Sequence, residues 1–370
     1  QANQDACIIL PDLGLLAVAD GMGGLAKGEV ASGAAIALIR DANRALAEII
    51  TQVDADPSAR NRIALGGALE QIAELGSSRV QQLTQGSNSG TTLVLGVVAG
   101  GHLLVINVGD SRAYVLREGQ LRMLTDDHSV AAAQLRSGMM TPEEYATSPY
   151  QHMLYQALGI RNELDPDVFD EPLAHGDIIL LCSDGLTGPI RDEEIAALIL
   201  EHPDLEVAAQ KLVDKANERG GPDNITVTLT RIEDPTLPSG KQLEEDRQRL
   251  ANGRISLPLT DYDLRVLRHY LDYRPLSRGE EVDLGQGLQI VLRGAIAEEG
   301  LMRGPGEVAG IAAWIRGGDP ELAIAELDGA ALALGYEALR ELERRRPKTA
   351  ARFFRALLGA AYSNGGTLPR

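Results

Sequence analysis

Val18-Ala19-Asp20-Gly21-Met22-Gly23-Gly24 is the phrase from which this chain is best read: an apolar run ends on a carboxylate and glycines follow at once. Residues 15–19 read as the second strand of a hairpin whose first strand is 6–10, joined around Pro11-Asp12-Leu13-Gly14. A strand ending in Asp-Gly delivers its carboxylate where the sheet's edge opens to solvent. The device recurs in Val108-Gly109-Asp110-Ser111-Arg112, in Cys182-Ser183-Asp184-Gly185 and, ahead of a strand, in Gly220-Gly221-Pro222-Asp223-Asn224. Taken singly, each phrase also reads as a turn, with Gly supplying a positive φ and Asp bonding its own backbone. Brought together, such carboxylates repel one another, and the cluster calls for hard divalent cations. Oxygen-only ligation points to Mg or Mn rather than zinc.

Outward from that phrase, residues 29–50 are Ala-rich and helical, and residues 61–83 carry Leu65, Leu69, Ile72 and Leu75 at helical spacing. Strands follow at 91–98, 103–108, 113–117 and 121–124, with a hairpin turn at Arg117-Glu118-Gly119-Gln120. Residues 127–155 are polar and partly helical, with a helix start at Thr141-Pro142-Glu143-Glu144. A strand at 177–182, helices at 192–200 and 205–218, and a strand at 225–231 complete this part. Strands and helices come in blocks rather than in strict alternation, which favours an α+β class with antiparallel sheets.

At 370 residues the chain exceeds one ordinary core, so two domains are expected. Pro235, Pro238, Ser239-Gly240 and a charged run mark residues 234–256 as a linker leading into a short helix, between domains at 1–233 and 257–370. The formal net charge of −18 argues against nucleic acid or an anionic membrane as partner. Cys7 and Cys182 each lie in an apolar, strand-like stretch, where a thiol behaves as a small buried hydrophobe. Two cysteines make no disulfide scaffold, so a reducing cytoplasm is the expected compartment. No apolar stretch reaches membrane-spanning length, and no signal peptide is visible.

In their order, the phrases above, together with Asn3-Gln4-Asp5, Gly28-Glu29-Val30-Ala31-Ser32 and Ser89-Gly90-Thr91-Thr92, resemble the metal-dependent serine/threonine protein phosphatases of type 2C in their bacterial form. The resemblance runs over residues 3–231 and implies two stacked antiparallel sheets flanked by helix pairs. It implies Mg or Mn as cofactor, two ions with a third in bacterial members. Asp20 would bridge two ions, with the carbonyl of Gly21 on one, and Asp184 and Asp223 would complete the other. Asp110 would hold the third ion together with Asp184, or else orient Arg112 by an ion pair. Asp20, Asp184 and Asp223 are therefore the expected catalytic set, with Asp5 and Gln4 behind the metal. Gln4 stands where a Glu is common, and its amide brings no charge. Ser89-Gly90-Thr91-Thr92 either starts a strand or contacts metal waters. His128 invites a general-acid reading, against the plainer one of a polar residue at the root of a flap. Met22 stands where some members carry a His proton donor. The family also keeps a phosphate-binding Arg just before the Asn-x-Asp phrase, and that residue is expected outside the given sequence, which begins at Gln1. The expected partners are a phosphoprotein substrate and a cognate serine/threonine kinase.

A second resemblance covers residues 257–363. Leu276-Ser277-Arg278-Gly279-Glu280, Leu288-Gln289-Ile290-Val291-Leu292-Arg293-Gly294 and Gly304-Pro305-Gly306-Glu307-Val308-Ala309-Gly310 resemble the cyclic-nucleotide-binding domain, a β-roll with a C-terminal helix. The positions that carry its chemistry depart. Ile311 replaces the Glu that holds the ribose, and Glu321 follows Pro320 where the family has a phosphate-clamping Arg. Binding of cAMP or cGMP in the usual way is therefore not expected. Docking or dimerisation through a helix at 338–361 is the expected use. Two rival readings stand beside the phosphatase: a non-catalytic signalling adaptor, and a phosphatase gated by a cyclic nucleotide.

Overall fold

The hairpin forms as the pattern requires: β1 (Asp5–Leu10) pairs antiparallel with β2 (Leu15–Met22), placing Leu10 opposite Leu15 and Asp5 opposite Asp20. This computed structural model describes residues 3–23, 27–85, 89–160, 163–253, 259–317 and 321–363. The chain divides into two compact units. The first comprises Gln1–Pro57 and Ala64–Gly240, the second Ser58–Ile63 and Lys241–Arg370.

In the first unit, residues 29–50 form two helices rather than one stretch, α1 (Lys27–Asp41) and α2 (Asn43–Ala55). Then come α3 (Ala59–Leu83), which belongs to this unit from Ala64 onward, β3 (Gly90–Thr91), β4 (Leu93–Ala99), β5 (His102–Val108), β6 (Arg112–Arg117) and β7 (Gln120–Met123). They are followed by α4 (Val130–Arg136), α5 (Pro142–Ala146), β8 (Asp167–Pro172), β9 (Ile178–Cys182), α6 (Asp184–Thr187), α7 (Asp192–Glu201), α8 (Leu205–Glu218) and β10 (Val227–Arg231). One sheet runs β1-β2-β4-β5-β8, with β3 added to β2, and the other runs β10-β9-β6-β7. All pairs are antiparallel.

Both faces of the central strands are apolar. On β2, Leu15, Ala17 and Ala19 join Ile36, Ile39, Leu46, Leu65 and Leu69 of the helices in one core. On β9, Ile178, Leu180 and Cys182 join Ile195, Ile199 and Leu212 in another. The alternate residues Leu16, Val18, Ile179 and Leu181 are equally buried and, by the period of two, face the opposite sheet. The contacts of β2 and β4 with β9 make that layer. Each such Leu or Ile contributes about 1.5–3 kcal/mol by leaving water.

Several expectations change. Leu75 is exposed because α3 turns Ile72, Ala73 and Val80 inward instead. Cys7 is exposed on β1, whereas Cys182 is buried as expected. β8 is a buried strand that its sequence, Asp-Val-Phe-Asp-Glu-Pro, does not announce. Its charges enter the interior because each has a partner: Asp170 meets His102 at 2.7 Å, and Glu171 meets Arg117 at 3.0 Å and Arg122 at 2.6 Å.

The second unit contains most of α9 (Gly240–Asn252), a helix inside the stretch 234–256 read as a linker, and α10 (Asp261–Arg268). Its strands are β11 (Asp272–Leu276), β12 (Glu281–Asp283), β13 (Gly287–Glu298), β14 (Leu301–Arg303), β15 (Val308–Ala309) and β16 (Leu322–Gly335). They form one antiparallel sheet around β13 and β16, over a small core that includes Val282, Val291, Ile296 and Ala325. α11 (Ile311–Ile315) lies between β15 and β16, and α12 (Tyr336–Arg345) and α13 (Pro347–Ser363) follow, broken near Pro347 as expected. Ile311 is buried, and Glu321 pairs with Arg316. Pro320 lies outside the described residues.

Candidate metal centre

The two sheets of the first unit bring their acidic ends together. Asp5 opens β1 and stands opposite Asp20 near the end of β2. Asp110 follows β5, Asp184 follows β9, and Asp223 precedes β10, whose Val227 pairs with Cys182. The Asp20 carboxyl is pushed up to about 10, first by burial and then by the negative charges of Asp5, Asp184, Asp110 and Asp223. All the expected aspartates therefore meet in one cluster. Burial, then Asp184 and Asp127, push Asp110 up to about 7. Burial also raises Asp5, against hydrogen bonds donated by Thr226 and Ser183 at 2.7 and 2.8 Å.

The backbone under Asp20 is fixed from the neighbouring strands. Its N–H donates to Thr92 Oγ1 at 2.9 Å, and its carbonyl accepts from Thr91 Oγ1 at 2.9 Å and from Thr92 N at 2.8 Å. The threonine hydroxyls are thus spent on positioning Asp20, and the phrase also supplies β3, one of the two roles foreseen for it. Two glycines are required by close approach. A Cβ on Gly21 would lie 2.2 Å from the carbonyl oxygen of Gly28, and one on Gly185 would lie 2.0 Å from that of Asn224. Asn224 in turn accepts from Gln4 N at 2.8 Å, tying the Asp223 loop to the start of the chain. The Gln4 amide donates to Gly23 O at 3.2 Å, so its side chain shapes the glycine phrase.

Around Asp110 the alternatives separate. Arg112 forms a bidentate pair with Asp127, at 2.9 and 2.7 Å, and does not pair with Asp110. His128 is buried: its Nδ1 accepts from Gly109 N at 3.2 Å and meets Gln156 Nε2 at 2.9 Å, while its Nε2 meets Asp167 at 3.0 Å. With both nitrogens engaged, it anchors the flap root to the Asp110 loop, the plainer of its two readings. Sequence reasoning missed His152. Its Nδ1 meets Asp184 Oδ2 at 3.2 Å, a bond that heads the causes raising the imidazole above its usual range. Donor atoms of Asp110, His152 and Asp184 lie within 4.8 Å of one another.

The cluster fits divalent cations. Asp5 Oδ1 and Asp184 Oδ1 are buried without a hydrogen-bond partner. The strongest electrostatic neighbours of Asp20 are all carboxylates, so positive charge is what the arrangement lacks. Carboxylate oxygens suit Mg and Mn.

A family model described as protein phosphatase 2C matches residues 1–219. The serine/threonine phosphatase Stp of Listeria welshimeri is 36% identical over 215 residues, spanning 58% of this chain and 83% of that protein. The serine/threonine protein phosphatase PstP of Mycobacterium tuberculosis is 34% identical over 254 residues, 65% of this chain and 47% of that protein. Among solved structures, the phosphatase MsPP of Mycobacterium smegmatis in complex with cacodylate aligns with a TM-score of 0.52 at 36% identity, covering 63% of this chain and 93% of that one. The catalytic domain of PstP in complex with two manganese ions aligns with a TM-score of 0.51 at 32% identity over the same shares, 63% and 93%.

Proposed function

The chain belongs to the protein phosphatase 2C family through residues 1–219, and on that premise we propose that it hydrolyses phosphoserine and phosphothreonine in proteins at the carboxylate cluster. It is a metal-dependent protein-serine/threonine phosphatase using Mg or Mn. Asp20, the carbonyl of Gly21, Asp184 and Asp223 would hold two ions, and Asp110 with Asp184 a third. Held there, divalent cations would supply a lowered proton affinity of water and a screen for phosphoryl oxygens. The observation that carries this reading is the convergence of Asp5, Asp110, Asp184 and Asp223 on Asp20.

The chain's own residues do the positioning. Thr91 and Thr92 fix the Asp20 backbone. Asp5, held by Ser183 and Thr226, would orient water in the cluster through its unpartnered Oδ1. The segment carrying α4 and α5 is tied at its root to the Asp110 loop by His128 and would contact the substrate. A phosphoprotein substrate implies a kinase that phosphorylates it, the natural partner of this activity.

For the second unit we keep the likeness to a cyclic-nucleotide-binding domain with its ligand chemistry lost, serving as a docking or regulatory module. Buried Ile311 offers no hydrogen bond to a ribose, and Glu321 directs its charge to Arg316.

The test is metal content and Mn-dependent hydrolysis of a phosphothreonine peptide by the full chain. Asp20→Ala should lose both, because Asp20 would hold both ions and lies at the centre of the cluster. Wild-type metal stoichiometry and rate in that variant would overturn the assignment.

A further inference from the structure

His152 lies in the turn between the flap helices and the strand β8, and nothing in its local sequence marks it. The turn is held. Tyr150 N donates to Ser148 Oγ at 3.2 Å, Met153 N donates to Tyr150 O at 3.2 Å, and Met153 O accepts from Val130 N at 2.8 Å. Leu154 forms a bridge with Ser129. The imidazole itself is 72% exposed, so core packing does not place it on Asp184. Asp110 is only 8% exposed, and among the described residues no cationic side chain pairs with it, since Arg112 is committed to Asp127. Asp184 Oδ1 is likewise buried and unpartnered. Asp110 without an ion-pair partner among the described residues, Asp184 with one unpartnered oxygen and one imidazole therefore converge, with donor atoms within 4.8 Å of one another. An ion about 2.1–2.4 Å from each donor fits that spread after a small contraction.

We infer that His152 supplies a nitrogen donor to a third cation site completed by Asp110 and Asp184, and that this donor favours a first-row transition cation over Mg²⁺. The inference rests on the phosphatase reading of the cluster. Mg²⁺ prefers an all-oxygen octahedron, whereas imidazole suits Co²⁺ and Zn²⁺ and follows the Irving–Williams order. The competing account is a solvated His–Asp pair of little energetic weight.

The test is titration of Co²⁺, and separately of Mg²⁺, into the metal-free full chain at a fixed mildly alkaline pH. Calorimetry and the visible absorption of bound Co²⁺ are the readouts, for wild type, His152→Ala and His152→Asn. The two tighter equivalents should persist in every protein. The third Co²⁺ equivalent should weaken at least about tenfold in His152→Ala, with a changed absorption band, while the third Mg²⁺ equivalent stays within about twofold. His152→Asn, with an oxygen donor, should remain weak for Co²⁺. An unchanged Co²⁺ affinity and spectrum in His152→Ala would overturn the inference. So would an equal loss of Co²⁺ and Mg²⁺, because that outcome assigns His152 to flap position rather than ligation. If the two tighter equivalents survive either result, the phosphatase reading stands alone. If the wild type binds no cation, both readings fall.

Discussion

Replacing Asp20 with Asn should stabilise the metal-free protein while abolishing its activity. In the folded, metal-free chain, burial and the surrounding carboxylates push Asp20 up to about 10, far above the ordinary value of 3.8. A group raised on folding contributes stability that is fully present below its unfolded pKa and is lost as pH rises through its folded pKa. The window for Asp20 therefore opens near pH 4 and extends past neutrality. Across it the folded state holds one proton more than the unfolded state, and stability falls by at most about 1.4 kcal/mol per pH unit. From pH 6 to pH 8 the ceiling is about 3 kcal/mol. For a unit of this size that corresponds to about 6–12 °C in melting midpoint. Asp110, pushed up to about 7, adds to the slope in the lower half of that interval. Melting curves by circular dichroism in chelator, at half-unit steps of pH, measure the effect. Wild type should lose midpoint as pH rises, Asp20→Asn should show a much flatter profile, and saturating Mn²⁺ should reverse the wild-type slope, since ligands must be deprotonated to bind. Parallel wild-type and Asp20→Asn profiles in chelator would refute the crowded-carboxylate account.

Gly185→Ala forces a Cβ to within 2.0 Å of Asn224 O and must displace the loop that carries Asp223. A cost of about 1–3 kcal/mol in urea unfolding and a fall of about a hundredfold in peptide hydrolysis are expected. Thr92→Val removes the acceptor of the Asp20 N–H and the 2.7 Å contact with Ser111 Oγ, for a loss of about 1–3 kcal/mol that Thr92→Ser restores in large part. Substitutions on the exposed flap residues Met139 and Tyr150 should alter preference among phosphopeptides more than the rate on a small aryl phosphate, and equal effects on both would count against substrate contact. On the proposed likeness of the second unit to a cyclic-nucleotide-binding domain, calorimetric titration with cAMP or cGMP should give no binding, because that likeness sets Glu321, paired with Arg316, where an anion would need a cation. Micromolar binding by either nucleotide would favour the nucleotide-gated reading.

The clustering of Asp20, Asp110, Asp184 and Asp223 is legible in the sequence because each signal is local: an aspartate in a glycine-punctuated phrase beside an apolar strand, towards the end of the strand or after it for Asp20, Asp110 and Asp184 and before it for Asp223. The hairpin of β1 and β2, most strand positions and the break near Pro347 are local in the same way. What escapes depends on partners remote in sequence. β8 reads as a polar segment because Asp167, Asp170 and Glu171 are buried only in the company of His128, His102, Arg117 and Arg122. His152 has no flanking motif, and its significance arises from Asp184, which lies 32 positions along the chain. The bidentate pairing of Arg112 with Asp127 leaves Asp110 without that guanidinium, a choice that the Gly-Asp-Ser-Arg phrase leaves open. Leu75 fits the helical spacing but lies outside the buried arc of α3, which the facing sheet selects.

Asp5 and Asp20 belong to one sheet of the sandwich, whereas Asp184 and Asp223 flank strands of the other. At the opposite end the layers are joined by opposite charge, since Arg117 and Arg122 of one sheet reach Glu171 of the other at 3.0 and 2.6 Å. At this end the layers meet across like charge, so a cation bound there acts as a rivet between them. Without it, the seam is the low-energy route for local opening, and amide exchange should begin at the N-terminal residues of β1 and β10 before it reaches the middle of β4 or β9. On the proposed reading, the cluster that would carry out the chemistry would also set which edge of the sandwich breathes, and the spread of that motion would follow the metal supplied.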